Sequence, residues 1–348
     1  MNKTKKLTSV LNWKFWLGLI LSALFLYLAL RQVDLAETWA KIQSADLLLL
    51  FVAALTLVFQ YFIRAWRWYI FLEPIQKTTF SNRLLSMIIG FAANCVLPAR
   101  LGEFIRANYL GNREKISISA TFGTVVVERL FDGLTLLLVL LIALWTTPLS
   151  DESLSISGVN MRSIGLSVFF VYILAIIFLI GFKYKTDLFI KLLNKIFFFL
   201  PTSLRTKLLD IIRNFSLGLI PAKNLKGWIL STFYSLLLWS IPLYQIHLIS
   251  LSIGIEIPFM ASFLILALSS FGVMIPSAPG FIGTFHFWVQ LGFVLYGVSK
   301  EAALSAAILY HAIFFFPTLL LGFISFFFLQ TPVRELSKDP SKTGQMMP

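Results

Sequence analysis

Charge is scarce in this chain. Only 13% of its 348 residues are Asp, Glu, Lys or Arg, while 58% are hydrophobic, and the mean hydropathy of +0.85 excludes a water-soluble core. Acidic residues are the scarcer kind, 16 against 29 Lys and Arg, for a formal net charge of +13. A nucleic-acid binder spreads such a surplus over one folded face; here the basic residues fall between long apolar runs, so membrane topology accounts for them and no nucleic-acid partner is expected. Cys95 is the single cysteine, which excludes an intrachain disulfide and a thiolate metal cluster. The three histidines are too scattered to read as metal ligands, and no His-Glu-x-x-His pattern, nucleotide-binding glycine loop or nucleophile elbow occurs. No metal and no cofactor are expected, and most enzyme classes are disfavoured.

What is abundant is apolar sequence. Crossing about 30 Å of hydrocarbon takes roughly 20 apolar residues at about 1.5 Å per residue, and six stretches qualify: 15–30, 47–70, 117–146, 164–182, 228–250 and 303–329. The first follows Lys3, Lys5, Lys6 and Lys14 and is not followed by a small-x-small cleavage site, so it reads as a signal anchor. Two more stretches, 84–97 and 260–275, reach only about 21–24 Å as helices. Each runs into proline and glycine, at Leu97-Pro98-Ala99-Arg100-Leu101-Gly102 and at Pro276-Ser277-Ala278-Pro279-Gly280-Phe281-Ile282-Gly283. Broken backbone at membrane depth is tolerated only inside protein or beside a wet cavity, so both are read as re-entrant helical hairpins, with complete crossings as the alternative.

Charge sets orientation. The connection 183–226 holds nine basic residues against Asp187 and Asp210, and 64–83 is also basic; both belong on the cytoplasmic side. The lean connections 31–46, 147–163 and 251–259 suit the outer face, which places both termini in the cytoplasm. Units 47–146 and 228–329 then have the same composition, span, hairpin and span, in opposite orientation, as in secondary transporters built from inverted repeats. The expected fold is an all-α integral membrane domain over 1–330, with about six full transmembrane helices plus two re-entrant hairpins in an inverted repeat, and a polar cytoplasmic tail over 331–348. Within 183–226, two helically spaced apolar stripes flanking Pro201 predict surface-lying amphipathic helices, which either attract anionic headgroups or are a plain solvated basic connection. Trp66, Trp68 and Tyr69 beside Arg64 and Arg67 read as an interfacial belt.

The candidate site consists of polar groups that hydrocarbon excludes. Glu128, Arg129 and Asp132 lie within 117–146, and Glu128 and Asp132, four apart, share a helix face. Such charges usually mark a pathway, the alternative being a structural salt bridge with Arg129 or with an arginine of the neighbouring hairpin. After Asn94, a returning arm is expected to begin near Pro98, aiming free N–H groups into the membrane beside Arg100. Arg100, Glu103 and Arg106 form one stripe in which Glu103 can brace both arginines, and arginine is shaped to hold phosphate bidentately. The other reading is a capped helix end with an internal ion-pair ladder. In the second hairpin Pro276, Pro279, Gly280 and Gly283 break the helix, and a new arm starts at Thr284 with His286 as its titratable group, either a proton switch or a packing residue.

Three stretches here resemble a known family: Asn94 to Arg106 (NCVLPARLGEFIR), Val127 to Asp132 (VERLFD) and Pro276 to Thr284 (PSAPGFIGT) look like the signatures of the lysylphosphatidylglycerol synthase transmembrane-region proteins, also called flippase-like domain proteins. The resemblance covers nearly the whole chain and implies a lipid-translocating domain; in the fused synthases the membrane part flips an aminoacylated lipid that a separate soluble domain makes. After Gln330 only a polar tail remains, so the synthase activity is not carried over. One departure is His286, where the resemblance implies Glu. The expected function is a flippase or scramblase for a phosphate-bearing lipid in the cytoplasmic membrane of a bacterium or archaeon. Glu128 and Asp132 would balance an amine or relay a proton, and anionic-headgroup lipids would be the partners. The alternatives are a membrane-embedded lipid-modifying enzyme and a membrane partner of a lipid or glycan synthase.

Overall fold

In hydrocarbon every backbone N–H and C=O must find its partner within the segment, so long apolar runs become long helices. The computed structural model describes residues 4–97, 100–146, 155–156, 159–219 and 224–329. These form α1 (Thr4–Leu30), α2 (Leu35–Gln43), α3 (Leu47–Leu72), α4 (Phe80–Val96), α5 (Gly102–Glu114), α6 (Ile118–Thr146), α7 (Met161–Tyr184), α8 (Thr186–Ile196), α9 (Thr202–Gly218), α10 (Leu225–Ser252), α11 (Ala261–Met274), α12 (Thr284–Val294) and α13 (Lys300–Leu329). A two-residue antiparallel ladder, β1 (Ser155–Ile156) on β2 (Val159–Asn160), is the one strand pair among the described residues.

Among the described residues, four helical stretches are long and apolar enough to cross a membrane: Leu47–Leu72, Gly165–Tyr184, Leu225–Ser252 and Lys300–Ser325. A fifth is obtained if Trp16–Leu30 and Leu35–Gln43, which meet at 84°, are taken as one broken span. The helix α2 lies within the expected outer connection 31–46. Asp34 starts it by accepting from the N–H groups of Ala36 at 2.7 Å and Glu37 at 3.2 Å, as Asp46 does for α3. The expected span 117–146 is the 29-residue α6, set apart from those four by three charged residues at its middle.

The two short apolar helices fold back on their successors. Antiparallel α4 and α5 approach so closely that a Cβ on Gly102 would run into Gly90 O and Asn94 Oδ1. Helices α11 and α12 pair likewise, with Gly272 against Trp288 and Gly292 against Ile265. The two breaks lie together: Arg100 Nη2 donates to Val273 O at 3.3 Å, and Gly280 faces Cys95 O. Helix α1 supports the second break, where Ser22 Oγ accepts from Ala278 N at 2.8 Å and Gly283, at φ +89°, sits on the Ser22 carbonyl. Around this centre α3 and α10 are cross-linked in the core, Gln60 Nε2 donating to Leu238 O at 2.9 Å and Gln245 Nε2 to Thr56 Oγ1 at 3.0 Å. Buried polar side chains anchored in this way fix the register of two otherwise smooth apolar helices.

The expected amphipathic pair is α8 and α9, with Pro201 at the start of α9. Leu188, Leu192 and Ile196 remain exposed on one stripe of α8, as a helix lying on a lipid surface requires.

Candidate functional site

Helix α6 brings Glu128 and Asp132 to one face, and that face is covered by arginines. Glu128 is held by Arg129 Nη2 at 2.7 Å, Arg106 Nη1 at 3.0 Å and Arg67 Nη2 at 3.5 Å. Asp132 is held by Arg67 Nη1 at 2.7 Å, Arg129 Nη2 at 3.1 Å and, more loosely, Arg64 Nη1 at 3.9 Å. Glu103 stands 3.7 Å from Arg129 Nε. The side chains of Arg67 and Glu128 are 0% exposed, so each ion stays charged only because the others surround it. Neutral groups complete the cage. Ser235 Oγ accepts from Arg67 Nη1 at 2.9 Å, Trp239 Nε1 donates to Asp132 Oδ1 at 3.4 Å, and the Arg106 guanidinium lies 5.2 Å over the Trp68 ring.

This geometry shows the ion pairs that the second reading of the α6 charges expects. Both carboxylates are ion-paired, Glu128 with Arg129, with Arg67 and with Arg106 of the neighbouring hairpin, and Asp132 with Arg67, Arg129 and Arg64. The expected bracing also differs: Glu103 pairs with Arg129, while Arg106 turns to Glu128 and Arg100 reaches the second hairpin. The reason lies in the break. Arg100 has φ +54° and α5 starts only at Gly102, so Arg100 is not on the helical stripe of Glu103 and Arg106. Pro98, expected to open the arm, lies outside the described residues. Asn94 has a structural duty, its Oδ1 accepting from Gly102 N at 2.8 Å and so capping the start of α5.

The cluster is unbalanced. Four guanidinium groups, of Arg64, Arg67, Arg106 and Arg129, meet three carboxylates, leaving a formal surplus of one positive charge. Hydrogen bonding is unbalanced in the same sense. Among the buried donors, Arg67 Nε and Arg106 Nη2 have neither a hydrogen bond nor an ion-pair partner, while Arg64 Nη1, Arg67 Nη2 and Arg129 Nε reach a carboxylate only at 3.5–3.9 Å, beyond good hydrogen-bond geometry; Asp132 Oδ2 has no hydrogen bond and lies 3.1 Å from Arg129 Nη2. Such groups are costly when buried unless an acceptor arrives. The surplus is not sealed: the Arg129 side chain is 31% exposed, Glu103 19% and Arg64 13%. Arg64 also packs 4.8 Å over the Phe91 ring of α4, at the side of the hairpin.

The second break carries no permanent charge, as expected, but His286 is not alone there. Its ring meets that of His311 at 4.8 Å, and His311 Nε2 bonds to Gly280 O at 2.7 Å. His286 Nδ1 is buried without a partner. Thr284 is fully buried, its hydroxyl donating to Phe281 O at 3.2 Å, and Gly280 at φ +76° turns the chain between Pro279 and Phe281. Pro276 lies in the stretch between α11 and that turn.

Of the expected interfacial belt of Trp66, Trp68 and Tyr69 beside Arg64 and Arg67, Trp66 is exposed, whereas Trp68 and Arg67 are fully buried at the charge cluster, Trp68 Nε1 donating to Thr124 Oγ1 at 2.9 Å. A signal was present: Gln60, Arg64 and Arg67 recur at i, i+4 and i+7, a polar stripe down an apolar helix.

Comparison with known proteins decides the family. The family model described as lysylphosphatidylglycerol synthase TM region matches residues 15–322. The chain belongs to that family. Relatives within reach of this lysylphosphatidylglycerol synthase TM region member include a UPF0104 membrane protein of Pyrococcus horikoshii, 26% identical over 324 residues, 89% of this chain and 96% of the relative. A UPF0104 membrane protein of Methanocaldococcus jannaschii is 28% identical over 247 residues, 71% of this chain and 97% of the relative. A third, named Glycosyltransferase AglD, of Haloferax volcanii, is 26% identical over 335 residues, 85% of this chain but 51% of the relative. The chain is thus a multi-pass membrane protein with a relative named for glycan transfer.

Proposed function

We propose that this protein moves a phosphate-bearing lipid between the leaflets of the cytoplasmic membrane, with the arginine surplus on α3, α5 and α6 as the headgroup site. The observation that carries this is the surplus of guanidinium groups over carboxylates, with buried N–H groups of Arg64, Arg67, Arg106 and Arg129 that make no hydrogen bond, next to a part-exposed Arg129. Guanidinium pairs match the oxygens of a phosphate in shape and charge, and an anion there would neutralise the surplus. Glu103, Glu128 and Asp132 keep the arginines apart and aligned; Arg64, Arg100 and Arg129 meet the ligand. The touching breaks of the two hairpins support treating 47–146 and 228–329 as inverted units with re-entrant arms and both termini cytoplasmic. Asn94, Pro276, Pro279, Gly280, Gly283, Thr284 and His286 then shape the route between them.

The test is reconstitution of the purified protein in liposomes carrying fluorescent phosphatidylglycerol or a fluorescent polyprenyl phosphate in one leaflet. Exchange to the other leaflet should exceed the protein-free rate by about tenfold or more, as a barrier lowered by about 1.4 kcal/mol gives; an unchanged rate for both lipids rejects the reading. A second reading is supported by the relative named as a glycosyltransferase, of which this chain matches half the length. It makes the protein the membrane partner of a lipid or glycan synthase, and predicts that the protein co-purifies with such an enzyme while leaving both lipids unmoved.

A further inference from the structure

On the far side of α6 from the charge cluster lies a separate feature. Val127, Leu130, Phe131 and Leu134, at i, i+3, i+4 and i+7, form a stripe of α6 that does not close against its neighbours. With Ile176, Leu179 and Ile180 of α7, Trp228 and Thr232 of α10, and Leu219 at the end of α9, it lines a cavity of about 200 Å³. Thr232 is the one polar residue of that lining. At one end Tyr172, a turn before Ile176, donates its hydroxyl to the carbonyls of Leu130 at 3.0 Å and Arg129 at 3.1 Å, fixing α7 against α6 where Gly133 leaves room for it. The helices therefore touch at Tyr172 and separate beyond it.

The other end is cationic. Ile176, Leu179, Ile180 and Lys183 fall at i, i+3, i+4 and i+7 of α7, so Lys183 stands on the cavity face one turn past the apolar lining. Asp187, the acidic residue nearest in sequence, pairs with Arg213 at 3.6 Å instead. Beyond Lys183 follow the basic helices α8 and α9, and Ile180 is 43% exposed, so the cavity opens to the side where lipid surrounds α7. An apolar slot ending in a lysine has the polarity of an anionic amphiphile, with the lysine stem free to follow its head. The space is too small for a helix, which measures about 10–12 Å across with its side chains. It suits a single hydrocarbon chain.

We infer that the α6–α7–α10 cavity is a lipid site, taking one acyl chain of an anionic phospholipid with its phosphate at Lys183. It is distinct from the headgroup site of the transport reading and does not depend on it, because the cavity stripe and the ion-pairing carboxylates occupy different faces of α6.

The experiment uses the full chain in nanodiscs containing phosphatidylglycerol with a diazirine at the end of one acyl chain. Photolabel mapped by mass spectrometry should concentrate on α6, α7 and α10 peptides that line the cavity, above the exposed Phe316 and Leu320 of α13. Ile180→Trp, which fills the mouth, should lower that labelling about tenfold. Lys183→Gln should reduce the preference for phosphatidylglycerol over phosphatidylcholine about fivefold, as expected for one lysine near a lipid surface. Thr232→Trp fills the slot from an exposed position and serves if Ile180→Trp does not elute as a single folded species. Even labelling of all lipid-facing helices, or cavity labelling unchanged by the filling substitutions, overturns the site. Labelling requires no translocation, so this site and the transport reading fail separately.

Discussion

The two hairpins share a plan, a short apolar helix, a glycine- and proline-containing break and a returning arm, yet they are held by opposite means. The first, α4–α5, is tied to the bundle by ions, with Arg106 buried against Glu128 and Glu103 beside Arg129. The second, α11–α12, has no charge at its break and is held by close backbone approach and ring packing, Gly283 on the Ser22 carbonyl and His286 on His311. The same outline thus gives one arm that can meet an anion electrostatically and one that contributes shape and backbone. On the proposed function, ligand recognition would belong with the first and geometry with the second.

The sharpest way to break that contrast is to remove an ion from the first hairpin's anchor. Glu128→Gln takes away a carboxylate shared by three arginines, and by analogy with broken buried pairs the loss is about 3–5 kcal/mol. Thermal unfolding in detergent reads it, and a variant as stable as the parent shows that the cluster is not what holds α5. His286→Leu in the second hairpin removes a buried nitrogen without a partner, and the same measurement should change by less than about 1.5 kcal/mol.

Backbone contacts come next. Gly102→Ala drives a Cβ into Gly90 O, and Gly283→Ala adds a left-handed backbone strain to a clash with Ser22 O. Each should cost about 1–3 kcal/mol, with Gly283→Ala the larger. Equal stability of Gly283→Ala and its parent contradicts the claim that close approach builds the second break. Asn94→Ala loses the Oδ1 that caps α5 and should cost about 1 kcal/mol.

How much of this was legible in the sequence depends on the range of the interaction. Helix–break–helix pairs are local, so the short apolar runs before Leu97 and Ile275 located α4 and α11 within a few residues. The stripes of α8 and α9 were visible for the same reason. The partner of Glu128 was legible only as a class, an arginine of the hairpin, because spacing does not say which side chain crosses the bundle. Arg67 was hidden by its aromatic neighbours, which read as an interfacial belt, and the polar stripe through Gln60 and Arg64 was the signal of its burial. Meeting of His286 with His311 depends on how α12 packs on α13, which no local pattern encodes.

The smallest expected effect concerns pH at the base of the first hairpin. Burial alone raises the Glu114 carboxyl, but hydrogen bonds from the Thr79 hydroxyl at 2.7 Å, the Asn82 amide at 2.7 Å and the Thr79 N–H at 2.9 Å, with Arg83 nearby, hold it below the usual carboxylate range. A carboxylate depressed in this way stabilises the fold fully above its unfolded value of about 4.3 and loses that contribution as pH falls through its folded value. The melting temperature of the parent should therefore fall more steeply on acidification than that of Glu114→Gln, and parallel curves contradict this role.

The central claim is that arginine donors in surplus at the α3–α6 cluster receive an anionic headgroup. Arg64 tests it most directly, since its Nη1 has no hydrogen-bond acceptor and only a 3.9 Å approach to Asp132. The measurement is phosphatidylglycerol exchange in liposomes by Arg64→Gln and parent, at matched folded protein. The account predicts an exchange rate reduced about tenfold, the equivalent of about 1.4 kcal/mol, with the melting temperature nearly unchanged. Exchange by Arg64→Gln at the parental rate contradicts it.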